Sequence, residues 1–421
     1  MAICAACGSA NGVSESTGGT TGVGSGGSSS AAAGSGSTAL GAGTAGAVLL
    51  GGGAGAGTAG AGTAGDGAGG LSAAAGGAGV SAAGAPGGGS SGSGSLSAGA
   101  GGAESSVGDG DFVVGPTYTK SGDLANKGAQ AGKSFHFSLS SVNSQIFKGD
   151  DATLASANQH TFMRGVDVYV PAKYKDGDAA PFMVIQDGPG QLNSIKLALD
   201  NLTQSTDASR RLPAFIAIAV ANGGGDSIGS ERGLEYDTMS DRYARFIQTE
   251  VLPAVLANPT IKVAYPSLAL TTDPDGRATI GCSSGAAAAF TMGWFHPEWF
   301  HRIVAYSGTF VAQQNPAAAE HATFPEGAWD YHSDLKLIQA APAKPLRIFI
   351  NANEQDNGYD APESGRHNWL LANQRTAAAL KAQGYHYRFV EGLGAGHCQG
   401  SVQDLTLPET LLWVWRGYSL N

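Results

Sequence analysis

The sequence predicts an α/β protein, a mostly parallel central sheet with helices on both faces, preceded by a long low-complexity tether. Three observations carry that expectation. Short apolar runs of strand type alternate with helical segments through the C-terminal part of the chain. One such run passes through Gly281-Cys282-Ser283-Ser284-Gly285 directly into the helix-forming stretch Ala286–Phe290. Ahead of all this, residues 8–110 are nearly all Gly, Ala, Ser and Thr.

A stretch of that composition cannot bury enough apolar surface to offset its ordering entropy. Residues 1–109 therefore read as a disordered tether and residues 110–421 as one folded domain, roughly 310 residues being ample for a large core. The net charge of −10 argues against nucleic acid as a partner. No apolar run reaches the ~20 residues that a membrane-spanning helix needs. The opening Met1–Ser9 resembles the end of a bacterial lipoprotein signal, which would make Cys7 a lipidated membrane tether; the alternative is that Cys4 and Cys7 are incidental.

Within the domain, 111–116 and 134–139 alternate apolar and polar residues, as half-buried strands do. Residues 161–170 read as a strand closed by Pro171, and 181–186 as a short apolar strand stopped by Asp187-Gly188-Pro189-Gly190. A helix is expected at 194–202, a buried strand at 214–220, and a helix at 241–256 despite Pro253. The strand and helix around Ser283 occupy 278–295. Strands follow at 302–306, 346–350 and 385–390, with helices at 369–383 and near 407–415. In such a sheet the loops at the carboxyl ends of the strands gather on one rim, which is where function is expected.

The pattern Gly-x-Ser-x-Gly means little alone in a chain with 66 glycines. It recurs at Gly88–Gly92, inside the tether, and at Gly225–Gly229, where Ser230-Glu231-Arg232-Gly233 is a poor place to open a helix after Ser227. Only Ser283 has a strand before it and a helix after it, the arrangement of a nucleophile elbow. A serine needs a base oriented by an acid. In the α/β-hydrolase arrangement these follow as Asp or Glu, then His, with the histidine after the last strand. His397 sits there, and the acid belongs in the loop after 346–350, where Asp356 and Glu354 are both candidates. The oxyanion hole would use the Ser284 N–H and a second N–H between Gly188 and Gln191, most plausibly Gly188. Cys282 precedes the candidate nucleophile and Cys398 follows the candidate base, so contact between Ser283 and His397 would bring the two thiols within disulfide range. Such a bridge implies an oxidising compartment, periplasmic or extracellular. No spacing such as His-Glu-x-x-His suggests a metal, and no phosphate-cradling loop other than the elbow opens a helix, so no metal or cofactor is expected.

From about Gly110 to Tyr418 the chain resembles the enterochelin-esterase/esterase-D group of serine α/β-hydrolases. The likeness rests on Arg164-x-Val166-x-Val168-Tyr169-Val170-Pro171, Gln186-Asp187-Gly188, and Arg232-x-x-Glu235-Tyr236-Asp237 ahead of Asp241–Phe246. It continues through the Ser283 elbow, Asn368-Trp369-x-x-Ala372-Asn373-Gln374, and Gly396-His397 before Leu412-Trp413-x-Trp415-Arg416. The resemblance implies an ester hydrolase acting on a siderophore trilactone, a feruloyl ester on polysaccharide, or another acyl ester. It maps the nucleophile to Ser283, the base to His397 and the acid most naturally to Asp356, with Arg232, Tyr236 and Asp237 lining or bracing the cleft. The Cys282-Ser283 and His397-Cys398 pairs are locally similar to the bridged pairs of tannase and fungal-type feruloyl esterases. An acyltransferase on the same fold, or a binding module retaining the scaffold, are the alternative readings.

Overall fold

The computed structural model describes residues 108–419. The expected tether, apart from residues 108 and 109, lies outside the described residues, and Cys4 and Cys7 lie there with it.

The strands are β1 (Gly110–Val114), β2 (Lys133–Ser140), β3 (Met163–Val170), β4 (Ala179–Ala180), β5 (Phe182–Ile185), β6 (Ile216–Val220), β7 (Ala269–Leu270), β8 (Arg277–Cys282), β9 (Arg302–Tyr306), β10 (Arg347–Gln355) and β11 (His386–Gly396). Nine of them form one sheet in the order β1-β11-β10-β9-β8-β5-β6-β3-β2, while β4 and β7 pair separately. Every pairing from β1 to β6 is parallel; only β3 runs against its neighbours, pairing antiparallel with β6 and β2. The central strands β5, β6 and β9 are buried at every position, which explains why they read as continuous apolar runs. Edge strand β1 alternates between partly buried and exposed residues instead.

The helices are α1 (Leu192–Leu202), α2 (Glu231–Tyr236), α3 (Arg242–Phe246), α4 (Leu252–Ala257), α5 (Pro259–Ala264), α6 (Ser284–Phe295), α7 (Leu337–Ala340), α8 (Trp369–Ala382) and α9 (Gly400–Val414). Ile195 and Leu199 of α1 and Leu407 and Leu411 of α9 pack with Ile185, Val304 and Phe349 on one sheet face. Ala286 and Phe290 of α6 and Ala372 and Leu380 of α8 pack with Ile303, Ala305 and Ile348 on the other. Strand alternation sends Ile303 and Val304 to opposite faces, so one strand serves both cores. Helix α6 is buried from Ser284 to Trp294, as its small and apolar residues all round require.

Three local readings are corrected. The expected helix 241–256 is α3, a π-turn at Ile247–Val251 and α4. Pro253 lacks an N–H and crowds the carbonyl four residues back, and the wider turn absorbs the mismatch. Helix α2 does open at Glu231, because the Ser230 hydroxyl caps it by accepting the Gly233 N–H at 3.1 Å. The last helix begins at Gly400 and runs through Pro408, well before the expected 407.

Candidate active site

The order β11-β10-β9-β8-β5 places the loops after these strands side by side along one rim. Ser283 lies between β8 and α6 with φ 60° and ψ −129°. A Cβ on Gly281 would stand 2.3 Å from the Gly285 carbonyl, and one on Gly285 2.8 Å from the Asp187 carboxylate. Glycine at 281 lets strand and helix approach this closely, and glycine at 285 leaves room for the Asp187 side chain. A left-handed serine costs about 1–3 kcal/mol, and it persists because the buried helix behind it and the Ser283 N–H bond to the Tyr306 carbonyl (3.0 Å) hold it.

Asp356 follows β10 directly and is 1 % exposed. Its Oδ1 accepts from His397 Nδ1 at 2.6 Å and from the Asn357 N–H at 2.9 Å. Its Oδ2 accepts from the Ser307 hydroxyl at 2.8 Å and the Asn353 N–H at 3.1 Å. Donation from Nδ1 leaves His397 Nε2 as the basic nitrogen. Glu354, the other acid candidate, is exposed and accepts the Gly394 N–H at 2.7 Å. The structure thus separates the two acids that spacing left open.

Cys282 and Cys398 form a disulfide with their Cα atoms 6.1 Å apart. The bridge joins the residue before Ser283 to the residue after His397, so elbow and imidazole loop are covalently side by side. Among the described residues the Ser283 hydroxyl bonds not to His397 but to Thr309 Oγ1, at 3.4 Å.

Ser284 opens α6, where its N–H has no intrahelical acceptor. Gly188 does not fill the place expected of it: its N–H donates to the Val220 carbonyl at 2.9 Å. The Asp187 N–H goes to the Tyr236 hydroxyl at 3.1 Å, and Pro189 has no N–H. Gly190 and Gln191, the rest of the range read from sequence, lie in the turn that leads into α1.

Arg232 grips Asp187 with two bonds, Nε to Oδ1 at 2.8 Å and Nη2 to Oδ2 at 2.9 Å. Asn222 Nδ2 adds a third at 2.7 Å. Tyr236 is 1 % exposed and Asp237 4 %, the latter accepting from Gln313 Nε2 at 3.0 Å. Of the two expectations for Arg232, Tyr236 and Asp237, the geometry is that of braces behind the cleft. Burial pushes the Asp237 carboxyl up to about 7. A cavity of about 340 Å³ opens beside Cys282, lined by Gln186, Asp187, Gln191, Ser194, Gln403 and Asp404 among others.

Ser307, Thr309 and Trp369 were not singled out as site residues from the sequence. The available signal was positional: Ser307-Gly308-Thr309 follows β9, the strand between the elbow strand and the acid strand. Among the described residues no cluster of three or more His, Cys, Asp or Glu is placed to hold a metal ion.

Glu231, next to the Asp187 clamp on α2, is 3 % exposed, and among the described residues neither carboxylate oxygen has a hydrogen-bond partner. Burial, then repulsion from Glu235, pushes its carboxyl from 4.5 up to about 7. The folded chain therefore keeps a proton that the unfolded chain has lost across that window, and stability falls as pH rises through it. Glu231→Gln should raise the Tm at pH 8 by about 5 °C and leave it unchanged at pH 4. Melting curves at the two pH values check this; an equal shift at both would refute the titration.

A mostly parallel sheet whose central strand turns through a left-handed Gly-x-Ser-x-Gly serine into a buried helix is the α/β-hydrolase architecture. The family model described as "Putative esterase" matches residues 160–403, more than half of the chain. The chain belongs to that esterase family and is a carboxylic-ester hydrolase. Among solved structures it is similar to a ferulic acid esterase, with 17% identity, TM-score 0.47, and coverage of 68% of this chain and 99% of that one. It is similar to the enterobactin esterase of Shigella flexneri, with 20% identity, TM-score 0.39, and coverage of 60% of this chain and 56% of that one. A ferulic acid esterase from the anaerobic fungus Anaeromyces mucronatus is similar at 13% identity and TM-score 0.44, covering 70% of this chain and 95% of that one. A comparison with curated proteins found no match.

Proposed function

We propose that the chain is an exported serine esterase working through an acyl-enzyme. Ser283 is the nucleophile, His397 its general base and then the acid for the leaving alcohol, and Asp356 the carboxylate that orients the imidazole. The observation that carries this reading is the Asp356–His397 bond at 2.6 Å, on a loop tied by the Cys282–Cys398 bridge to the elbow. Turning of the Ser283 hydroxyl proton toward Nε2 starts the reaction. Nε2 takes the proton as Oγ attacks the ester carbonyl, and the Ser284 N–H receives the developing oxyanion. Collapse expels the alcohol with that proton, and water repeats the sequence to release the acid.

The substrate is an acyl ester of the siderophore-trilactone or feruloyl type, either small or linked to polysaccharide. The disulfide supports export, because such bonds persist in oxidising compartments. A lipid at Cys7 would retain the exported enzyme at a membrane, and intact mass of the native protein reads it directly.

A fluorophosphonate probe tests the nucleophile. Wild type should label and Ser283→Ala should not; labelling that survives the substitution, or none in wild type, removes this mechanism. A panel of p-nitrophenyl, feruloyl and catecholate-trilactone esters then ranks substrates. Turnover that requires an added alcohol would instead indicate acyl transfer.

A further inference from the structure

Resting on the proposed serine mechanism, we propose that Thr309 is a positioning residue that directs the Ser283 hydroxyl, and that the Trp369 indole sets its direction. Two contacts tie Thr309 to the nucleophile. Its N–H donates to the Ser283 carbonyl at 3.1 Å, and its hydroxyl lies 3.4 Å from Ser283 Oγ. The Trp369 Nε1–H approaches the same hydroxyl at 3.2 Å. Thr309 is 1 % exposed and Trp369 8 %, and the indole stands edge-on to the His397 ring with centroids 6.1 Å apart.

The order of donors follows from chemistry. An indole N–H can only donate, so Thr309 Oγ1 is its acceptor. The threonine proton is then free to point at Ser283 Oγ, which keeps the serine's own proton available for His397 Nε2. The chain reads Trp369 N–H, Thr309 O–H, Ser283 O–H, imidazole, each donating to the next once the serine turns.

At 3.4 Å the threonine–serine contact is long for an O–H···O bond, whose usual distance is about 2.7–2.8 Å. It has room to shorten when negative charge develops on Oγ, during attack and again when Oγ leaves the acyl-enzyme. A bond stronger in the transition state than in the ground state raises kcat rather than lowering KM. The same short segment serves the other half of the site. Ser307 donates to Asp356 and accepts the Cys398 N–H at 3.1 Å, so the residues after β9 set acid, base loop and nucleophile together.

Thr309→Val keeps the shape and deletes the hydroxyl. It should lower kcat for p-nitrophenyl acetate about ten- to a hundredfold, the range of a hydrogen bond to a charged group, with KM within about twofold. The rate of fluorophosphonate labelling should fall in step, since the probe reports serine reactivity without substrate-specific contacts. Thr309→Ser, which keeps the hydroxyl, should stay within about threefold of wild type. Trp369→Phe should lower kcat, and adding Thr309→Val to it should cost much less than Thr309→Val alone. Unchanged kcat and labelling in Thr309→Val, a loss in Thr309→Ser equal to that in Thr309→Val, or strict additivity with Trp369→Phe would overturn the proposal while leaving the esterase mechanism intact. A wild type that neither labels nor hydrolyses any ester overturns both.

Discussion

Asp356→Asn should lower kcat about ten-thousandfold with little change in KM, the size expected when a triad carboxylate becomes an amide. The cause is the hydrogen-bond count. Asp356 receives four donors: His397 Nδ1, the Ser307 hydroxyl, and the Asn353 and Asn357 N–H groups. An amide offers one oxygen and one NH2 group. If the NH2 faces His397, Nδ1 must accept, the proton moves to Nε2, and the base is lost. If the oxygen faces His397, the NH2 confronts Ser307 and the Asn353 N–H, and the buried loop shifts. Glu354→Gln should change kcat less than about threefold, because that side chain is exposed and among the described residues accepts the Gly394 N–H alone. Steady-state kinetics of the two variants decide the matter. A severe loss in Glu354→Gln beside a mild one in Asp356→Asn would transfer the acid role.

The second large effect belongs to the disulfide. Cys282 and Cys398 are separated by 116 residues in sequence, so their bond removes much freedom from the unfolded chain. The double replacement Cys282→Ala/Cys398→Ala should cost about 2–5 kcal/mol, and thermal unfolding should show a fall of about 10 °C. Activity should fall as well. The bridge holds the imidazole loop to the elbow, and a misplacement of about 1 Å can reduce turnover about a hundredfold. A reductant should reproduce both losses in wild type and have no effect on the double variant. Wild type that melts and turns over identically with and without reductant would leave the bridge without either role.

How much of this was legible in advance differs from residue to residue. The elbow was readable because its requirements are local: a Cβ on Gly281 would stand 2.3 Å from the Gly285 carbonyl, and the pattern strand, serine, helix lies in one stretch. His397 was readable because it follows the last strand. The disulfide was readable because two thiols flank the candidate nucleophile and the candidate base. Asp356 and Glu354 could not be separated by spacing, since both belong to one acidic loop. Strand β10 continues to Gln355, with a register shift between Asn353 and Gln355, and that geometry buries Asp356 and leaves Glu354 outside. Gly188 was misplaced for a related reason. Its sequence suits an oxyanion donor, but whether its N–H is free depends on β6, whose Val220 carbonyl takes it.

The sequence by itself determined the fold class, the Ser283 turn and the loops that carry the candidate base and acid, because periodicity, glycine placement and the succession of elements along the chain are properties of short segments. Only the tertiary structure decided which acid faces the imidazole, that the Gly188 N–H is taken, and that Ser307 bonds to Asp356 and Thr309 stands beside Ser283. Those outcomes depend on β9 lying between β8 and β10 and on β6 lying beside β5, a sheet order set by packing across the whole core. A hydrogen-bonding group has its chemistry in the sequence, but its partner is chosen by neighbours far along the chain.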